Sequence, residues 1–455
     1  PLTGPGSLNK TGAGILTLAA ANTFGPAGGT LTLGSGQADA GALRLAHPQA
    51  VGSHARILLN SGQAGVSRLE LSGGHTFPVH VDTVGRNTAA GFTAIRNVDG
   101  TNILQGNVTI TALGGAYHIG ALAGSSLTIT GHVTTTLNGQ TPRDTRFTGD
   151  GDILLDGGLA DSATATPTRL AVTKEGHGTL TLTGTSTHQL ATLVKSGTLR
   201  LDGAFTSSAV TINPGATLTG QGSLPAATIG GTLLLDAARG PLAISGTLAL
   251  EDATLAITGT TDEAVRILAT RGTQSGSFAT VTGMPVGYDL DLAYQGNAIA
   301  LVRRPGAAYE IWAHGCGLDP AGDGAPGVDA DGDGDGNFLE FALGSDPILA
   351  ASRTAQQPLL VAGGDGESYL VITALVRAGA EFAGDPPAAV HDGVSYVIYG
   401  GATPAAAAGG VEPTADPPGL PVPPPGYGYR SFRLSAPVSA ADRGFLRIRV
   451  TPAGP

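Results

Sequence analysis

The chain has 455 residues, 72 of them glycine, with 13% charged and 5% aromatic residues and a formal net charge of −11. Such a length predicts two or three domains, while the strand-like recurrence of Leu, Ile and Val excludes a disordered chain and the absence of a glycine at every third position excludes collagen. Lysine occurs only at 10, 174 and 195, which argues against nucleic acid as a partner, and the single cysteine, Cys316, forms no internal disulfide.

The chain opens Pro1-Leu2-Thr3-Gly4, without an initiator methionine or a signal peptide, so a processed or truncated product is expected. No stretch is long and apolar enough for a membrane-spanning helix. The residues from Val450 to Pro455 also lack the alternation and aromatic girdle of an outer-membrane barrel strand.

A repeat appears at once. Lys10-Thr-Gly12-Ala-Gly14-Ile-Leu16-Thr-Leu18 returns as Lys174-Glu-Gly176-His-Gly178-Thr-Leu180-Thr-Leu182. Between and after these copies lie short alternating segments, among them Thr30–Leu33, Leu69–Leu71, Leu127–Ile129, Thr198–Leu201 and Leu233–Leu235, most of them flanked by Gly, Asn, Asp or Ser. Each puts one or two aliphatic side chains on one face and often threonine on the other. Gly and Asn at the corners accept left-handed backbone angles. One such rung buries too little to stand alone, but stacked rungs share a core and satisfy each other's backbone groups. A parallel β-helix is therefore predicted, not a sandwich of longer strands.

The Lys-x-Gly-x-Gly-x-Leu-Thr-Leu units resemble the autotransporter-associated β-strand repeats of bacterial surface proteins. The stretch Ile95-Arg-Asn-Val-Asp99-Gly-Thr-Asn102, running on through Gly106 to Ile110, is similar to another recurring piece of those proteins. The likeness covers roughly residues 1 to 260 and departs at Glu175 and His177, where the family usually carries small or hydroxyl residues. It implies a right-handed β-solenoid exported to the cell exterior, and no catalytic residue.

From Asp262 to Arg304 the pattern is less regular and reads as last strands and a cap, which an open solenoid end needs. Next comes Asp329-Ala-Asp-Gly-Asp-Gly-Asp-Gly-Asn-Phe-Leu-Glu340, which fits the calcium-loop template D-x-[DN]-x-[DN]-G-x5-E without a gap. Asp329, Asp331 and Asp333 take positions one, three and five, and Gly334 the sharp turn. Asp335 offers its backbone carbonyl, Asn337 lies near the water-mediated position, and Glu340 closes the shell with two oxygens. Ca2+ wants six to eight oxygens, whereas so many carboxylates without an ion repel each other. Short helices are predicted over Tyr309–His314 and from Phe338 to Leu343, the second capped by Gly344 and stopped by Pro347. The pattern is similar to the Asp-rich calcium junctions that follow β-repeat regions in secreted bacterial proteins.

After the loop, longer alternating strands near Tyr369, Val394, Arg430 and Phe445 predict a small antiparallel β-sandwich. Between them a run from Pro404 to Pro425 includes Pro421-Val-Pro-Pro-Pro425, which predicts extended polyproline. The expected domains are thus residues 1–304, 305–350 and 351–455.

β-Helices often carry polysaccharide lyases and hydrolases, so an enzyme is the natural rival. Asp144, Asp150, Asp152 and Asp156 lie close in sequence, and glycoside hydrolysis needs two carboxyls across a cleft. Acids flanked by glycine near strand ends more often form turns. Gly176-His177-Gly178 falls within the structural repeat. The ten histidines show neither H-E-x-x-H nor zinc spacing, and no nucleophile elbow or phosphate loop occurs. The sequence therefore predicts a non-enzymatic extracellular or cell-surface structural protein stabilised by Ca2+, with head-to-tail self-association into fibres as an expected partner mode and surface glycans as another. A glycan-binding adhesin and a polysaccharide-active enzyme are the alternatives.

Overall fold

A computed structural model describes residues 1–34, 41–60, 67–83, 93–111, 116–139, 141–352, 357–403, 410–440 and 443–453. The chain divides into two units, Pro1–Pro285 with Leu290–Leu301, and Val286–Asp289 with Val302–Pro455.

The first unit is a parallel β-solenoid of about ten turns. Its short strands return to three faces, although among the described residues the first two turns form no strand on the third face and the first face ends at Leu159–Ala160. The first face begins with Asn9–Lys10, Thr30–Leu33 and Arg56–Leu59, and the second with Ile15–Leu18, Gly41–Leu45 and Ser67–Leu71. The third runs from Thr76–Phe77 to Phe278–Thr282. Every rung pairs in parallel with the one before it, so identical positions stack. Leu31, Ile57, Val81, Val108, Val133 and Leu159 form one inward file. On the third face Leu180, Leu199, Leu218, Leu233 and Leu255 form another. These side chains are buried, and each adds a share of apolar area too small to hold one turn by itself.

The repeated lysine has a structural reason. Lys174 occupies an inward position, stacked between Phe147 and Val194, and is only 2% exposed. Its ammonium donates to the backbone carbonyls of Glu175 (3.0 Å), Gly176 (2.7 Å) and Ser196 (3.4 Å). Lys10 does the same for Thr11 (2.9 Å) and Gly12 (2.7 Å). The lysine is a plug for a glycine-rich corner, giving its backbone carbonyls a buried donor, alongside the Ser196 hydroxyl that also reaches the Gly176 carbonyl (3.4 Å). The two copies serve different corners: Lys10 lies between the first and second faces, Lys174 between the second and third. The motif is thus a portable corner and not the period of the coil. Between Asn97 and Asn102 the corner is plugged by amides instead, with Asn102 Nδ2 donating to Asn97 Oδ1 (2.6 Å) and to the Asp99 carbonyl (2.7 Å).

Burial lowers the Lys174 pKa to about 8, yet the three carbonyls around it favour the ammonium. Lys174→Met is expected to destabilise the solenoid by about 2 kcal/mol through those orphaned carbonyls, read as a lower urea midpoint by circular dichroism. An unchanged midpoint would show that the plug is dispensable.

His188 is fully buried beside Thr192 (Nε2 to Oγ1, 3.0 Å), and burial lowers its pKa to about 4. The unfolded chain binds more protons than the folded one between the ordinary histidine value and about 4. Stability is therefore full above the ordinary value and falls as pH drops through this window, by about 3 kcal/mol in all. His188→Leu should flatten that part of the acid-unfolding curve; an unaltered curve would assign the loss to other groups.

In the second unit, helix α1 (Ala308–Gly315) and helix α2 (Asn337–Leu343) pack with two antiparallel sheets. One sheet orders Gln357–Ala362, Ser368–Arg377, Tyr427–Leu434 and Val411–Thr414; the other orders Ala388–His391, Val394–Gly401 and Phe445–Pro452. Ile372 and Phe432 of the first meet Ile398 of the second in a shared core. Tyr309, Ala313 and Phe341 of the helices join Val376 and Tyr396 of the sheets in another. Residues 305–350, expected as a junction, are thus built into the same unit as the sheets. Of the proline-rich run, 404–409 lie outside the described residues, and Val422 is 92% exposed.

Candidate cation loop

The loop between α1 and α2 folds on its own carboxylates. Asp329 Oδ1 accepts from the backbone N–H of Gly332 (2.8 Å) and Asp333 (3.2 Å), and its Oδ2 from Gly334 (2.9 Å). Asp331 Oδ1 accepts from Asp333 (3.2 Å), and Asp333 Oδ1 from Asp335 (2.7 Å). The turn through Gly334 needs φ of +101°, which a side chain would strain. One oxygen of each of Asp329, Asp331 and Asp333 then lies within 4.8 Å of the others. The hydrogen bond from Gly334 is the main cause that holds the Asp329 carboxyl below its ordinary value.

Glu340, in α2, is fully buried, and neither of its carboxylate oxygens accepts a hydrogen bond. The Ser345 hydroxyl lies beside it and eases its charge, but without the geometry of a hydrogen bond. Burial first, then the charges of Asp331 and Asp333, push the Glu340 pKa up to about 7. A buried carboxylate without a donor is costly. Here it faces other acids, so its charge is relieved either by a proton or by a bound cation. One oxygen of Asp331 is likewise buried and unpartnered.

Asn337 is used differently. It is fully buried, its amide donates to the carbonyls of Asp323 (2.9 Å) and Ala325 (3.2 Å), and its Oδ1 accepts from Ala330 N–H (3.3 Å). It ties the loop's two arms together. Asp335 is partly exposed, with its backbone N–H turned to Asp333.

The loop is anchored from both sides. Tyr309 of α1 donates to the Gly324 carbonyl (2.7 Å). At the other end, Tyr396 donates to the Ala342 carbonyl (2.8 Å) and Tyr427 to the Phe341 carbonyl (2.7 Å), taking up the free carbonyls of the α2 C-terminus. Gly344 caps that helix in the left-handed region at φ +78°. Arg377 stacks on both Phe341 and Tyr427 at 4.7 Å and pairs with Asp392 at 3.0 Å. No family model matches the chain, and none of the curated proteins is detectably similar to it.

The acids weighed for catalysis bind the neighbouring rung. Asp150 accepts from His177 N–H (3.0 Å), Asp152 from Thr179 N–H (2.8 Å) and Asp156 from the Thr183 hydroxyl (2.8 Å). Asp144 is held by Arg146 (2.6 Å) and the Thr173 hydroxyl (3.0 Å). Glu175, the departure within the second repeat, pairs with Lys195 at 2.8 Å.

One cluster escaped the sequence reading. Glu70 is fully buried on the outer side of the second face, bridged by Arg44 (2.7 Å) from the rung before and by Arg96 from the rung after, with Arg68 at 3.7 Å. The signal was present: Arg44, Glu70 and Arg96 are each 26 residues apart.

Proposed function

We propose that this protein is a non-enzymatic extracellular scaffold, a β-solenoid followed by a helix-and-sheet unit that Ca2+ holds in its folded form. The observation that carries the reading is Glu340, buried without a hydrogen-bond donor and facing an acidic loop. The donor set is all oxygen and mostly carboxylate, which suits a hard divalent ion. Asp329, Asp331, Asp333 and Glu340 supply side-chain ligands, Asp335 its carbonyl, and Asn337 keeps the loop closed around them. Extracellular fluids hold calcium at the concentrations that loops of modest affinity need. In the solenoid, acids and bases are paired rung to rung, which supports a load of structure over one of chemistry.

Limited proteolysis tests this. With millimolar calcium the whole chain should resist subtilisin. With chelator, cleavage should begin within residues 302–455 while the solenoid persists. Equal resistance in both conditions would remove the structural role of the ion.

A further inference from the structure

The helix-and-sheet unit holds a cavity of about 530 Å³, the size of a small-molecule site. Its wall is apolar along Tyr309 of α1, Phe338 of α2, Pro326 and Pro452. Three carboxylates complete the lining, from three separate segments. Glu310 lies in α1, Asp319 in the turn that follows it, and Asp392 in the hairpin turn between Ala388–His391 and Val394–Gly401. Among the described residues, none that lines the cavity is basic. Asp329, Asp331, Asp333 and Glu340 do not line it either, so it is separate from the candidate cation loop.

The walls are fixed by the fold. The arm through residues 319–326 is held by Tyr309, which donates to the Gly324 carbonyl (2.7 Å), and by the Asn337 amide, which donates to the carbonyls of Asp323 (2.9 Å) and Ala325 (3.2 Å). Ala453, also in the lining, donates its N–H to the Gly393 carbonyl (2.8 Å). A cavity built this way asks little reorganisation of the protein when a ligand enters.

Its charges do not balance. Glu310 pairs with Arg304, which also lies 3.8 Å from Asp289, and Asp392 pairs with Arg377 at 3.0 Å. Neither arginine lines the cavity. His391 Nε2 stands 3.9 Å from Asp392. Asp319 is exposed and accepts from the Ala321 N–H (3.0 Å), and among the described residues no basic side chain pairs with it. Three carboxylates against two guanidiniums leave one negative charge uncompensated beside an apolar wall.

That combination selects a ligand. A hard metal ion wants six or more oxygens around it, and the apolar wall supplies none. An acid is repelled by the excess carboxylate. A protonated amine on a hydrocarbon body satisfies both parts: the body removes apolar surface from water, and the ammonium meets the carboxylate of Asp319. We propose that this cavity binds a small organic ammonium.

Calorimetric titration of the full chain tests this with phenethylammonium and hexylammonium, each compared with its matching alcohol and carboxylate. The titrations are run in millimolar calcium at about pH 8, where histidine is neutral and alkylamines stay protonated. At least one amine should bind saturably, one per chain, and its alcohol and carboxylate should bind several-fold more weakly. Asp319→Asn keeps an acceptor for the Ala321 N–H and should weaken binding several-fold; Asp319→Lys should abolish it. Asp416→Asn changes an exposed acid of the same unit outside the cavity and should leave binding unaltered. Native Trp312 fluorescence checks that each variant is folded. Folded wild type that binds neither amine would overturn the proposal. So would equal binding of the alcohols, retention in both Asp319 variants, or an equal loss in Asp416→Asn. The cavity and the loop at Asp329 use different carboxylates, so either reading can fail alone.

Discussion

Calcium at a thousand times its dissociation constant is expected to stabilise the C-terminal unit by about 4 kcal/mol, since an ion that binds only the folded state adds RT ln(1 + [L]/Kd). The unit has its own reporter. Trp312, the only tryptophan, packs against Tyr309 and Phe341 with ring centroids 5.7 and 5.4 Å away. Its fluorescence follows this unit, while circular dichroism is dominated by the solenoid strands. The urea midpoint read by Trp312 should rise with calcium, and the solenoid midpoint should not. Glu340→Gln makes the cause visible. The amide removes one buried charge from a group that its neighbours and its burial already hold at a pKa of about 7. Without calcium the variant should therefore be at least as stable as wild type, and with calcium it should gain little. A variant that is weaker without the ion, yet gains as much from it, would show that Glu340 is an ordinary buried acid.

Glu70→Ala should cost the solenoid roughly 3–5 kcal/mol, the usual penalty for breaking a buried charge pair from one side. The carboxylate is fully buried, and its loss leaves Arg44, Arg68 and Arg96 facing each other without a counter-charge. Those guanidiniums are 23–32% exposed, so water offsets part of the repulsion. Burial alone would raise the Glu70 pKa, but the hydrogen bonds from Arg44 and Arg96 outweigh it and hold it below the ordinary value. A depressed carboxylate stabilises the fold above its ordinary pKa, and that stability is lost as pH falls through the folded value. The wild type should therefore lose more stability than Glu70→Ala on acidification below the carboxylate range. Replacing Arg44 and Arg96 by alanine together with Glu70 should recover part of the loss, because the uncompensated charges go too. Full additivity of the three changes would show that the triad is not coupled.

The solenoid was legible because its rule is local. Alternating Leu and Thr bounded by turn residues define a rung, and rungs that cannot stand singly must stack. Gly344 as the cap of α2, and the two helices around the acidic loop, were legible for the same reason. What escaped depends on register. Lys174 looked like one letter of a repeat, yet its role as a corner plug emerges only when the strand before it is seen to point it inward. In the sequence Glu70 is only the middle residue of the strand segment Leu69–Leu71. Its burial comes from arginines one turn away on either side, and the turn length varies along the chain, from Leu218 to Leu233 at its shortest to Tyr117 to Thr145 at its longest. Loop position alone places Asn337 near the water-mediated site, while its amide serves the backbone of Asp323, Ala325 and Ala330.

Calorimetric titration of calcium into the intact chain tests the central claim most directly. The account predicts one ion per chain at the Asp329–Glu340 loop, with binding lost in Asp331→Asn and sharply weakened in Glu340→Gln. Heat of binding that is absent from the folded wild type, or unchanged in both variants, would contradict it.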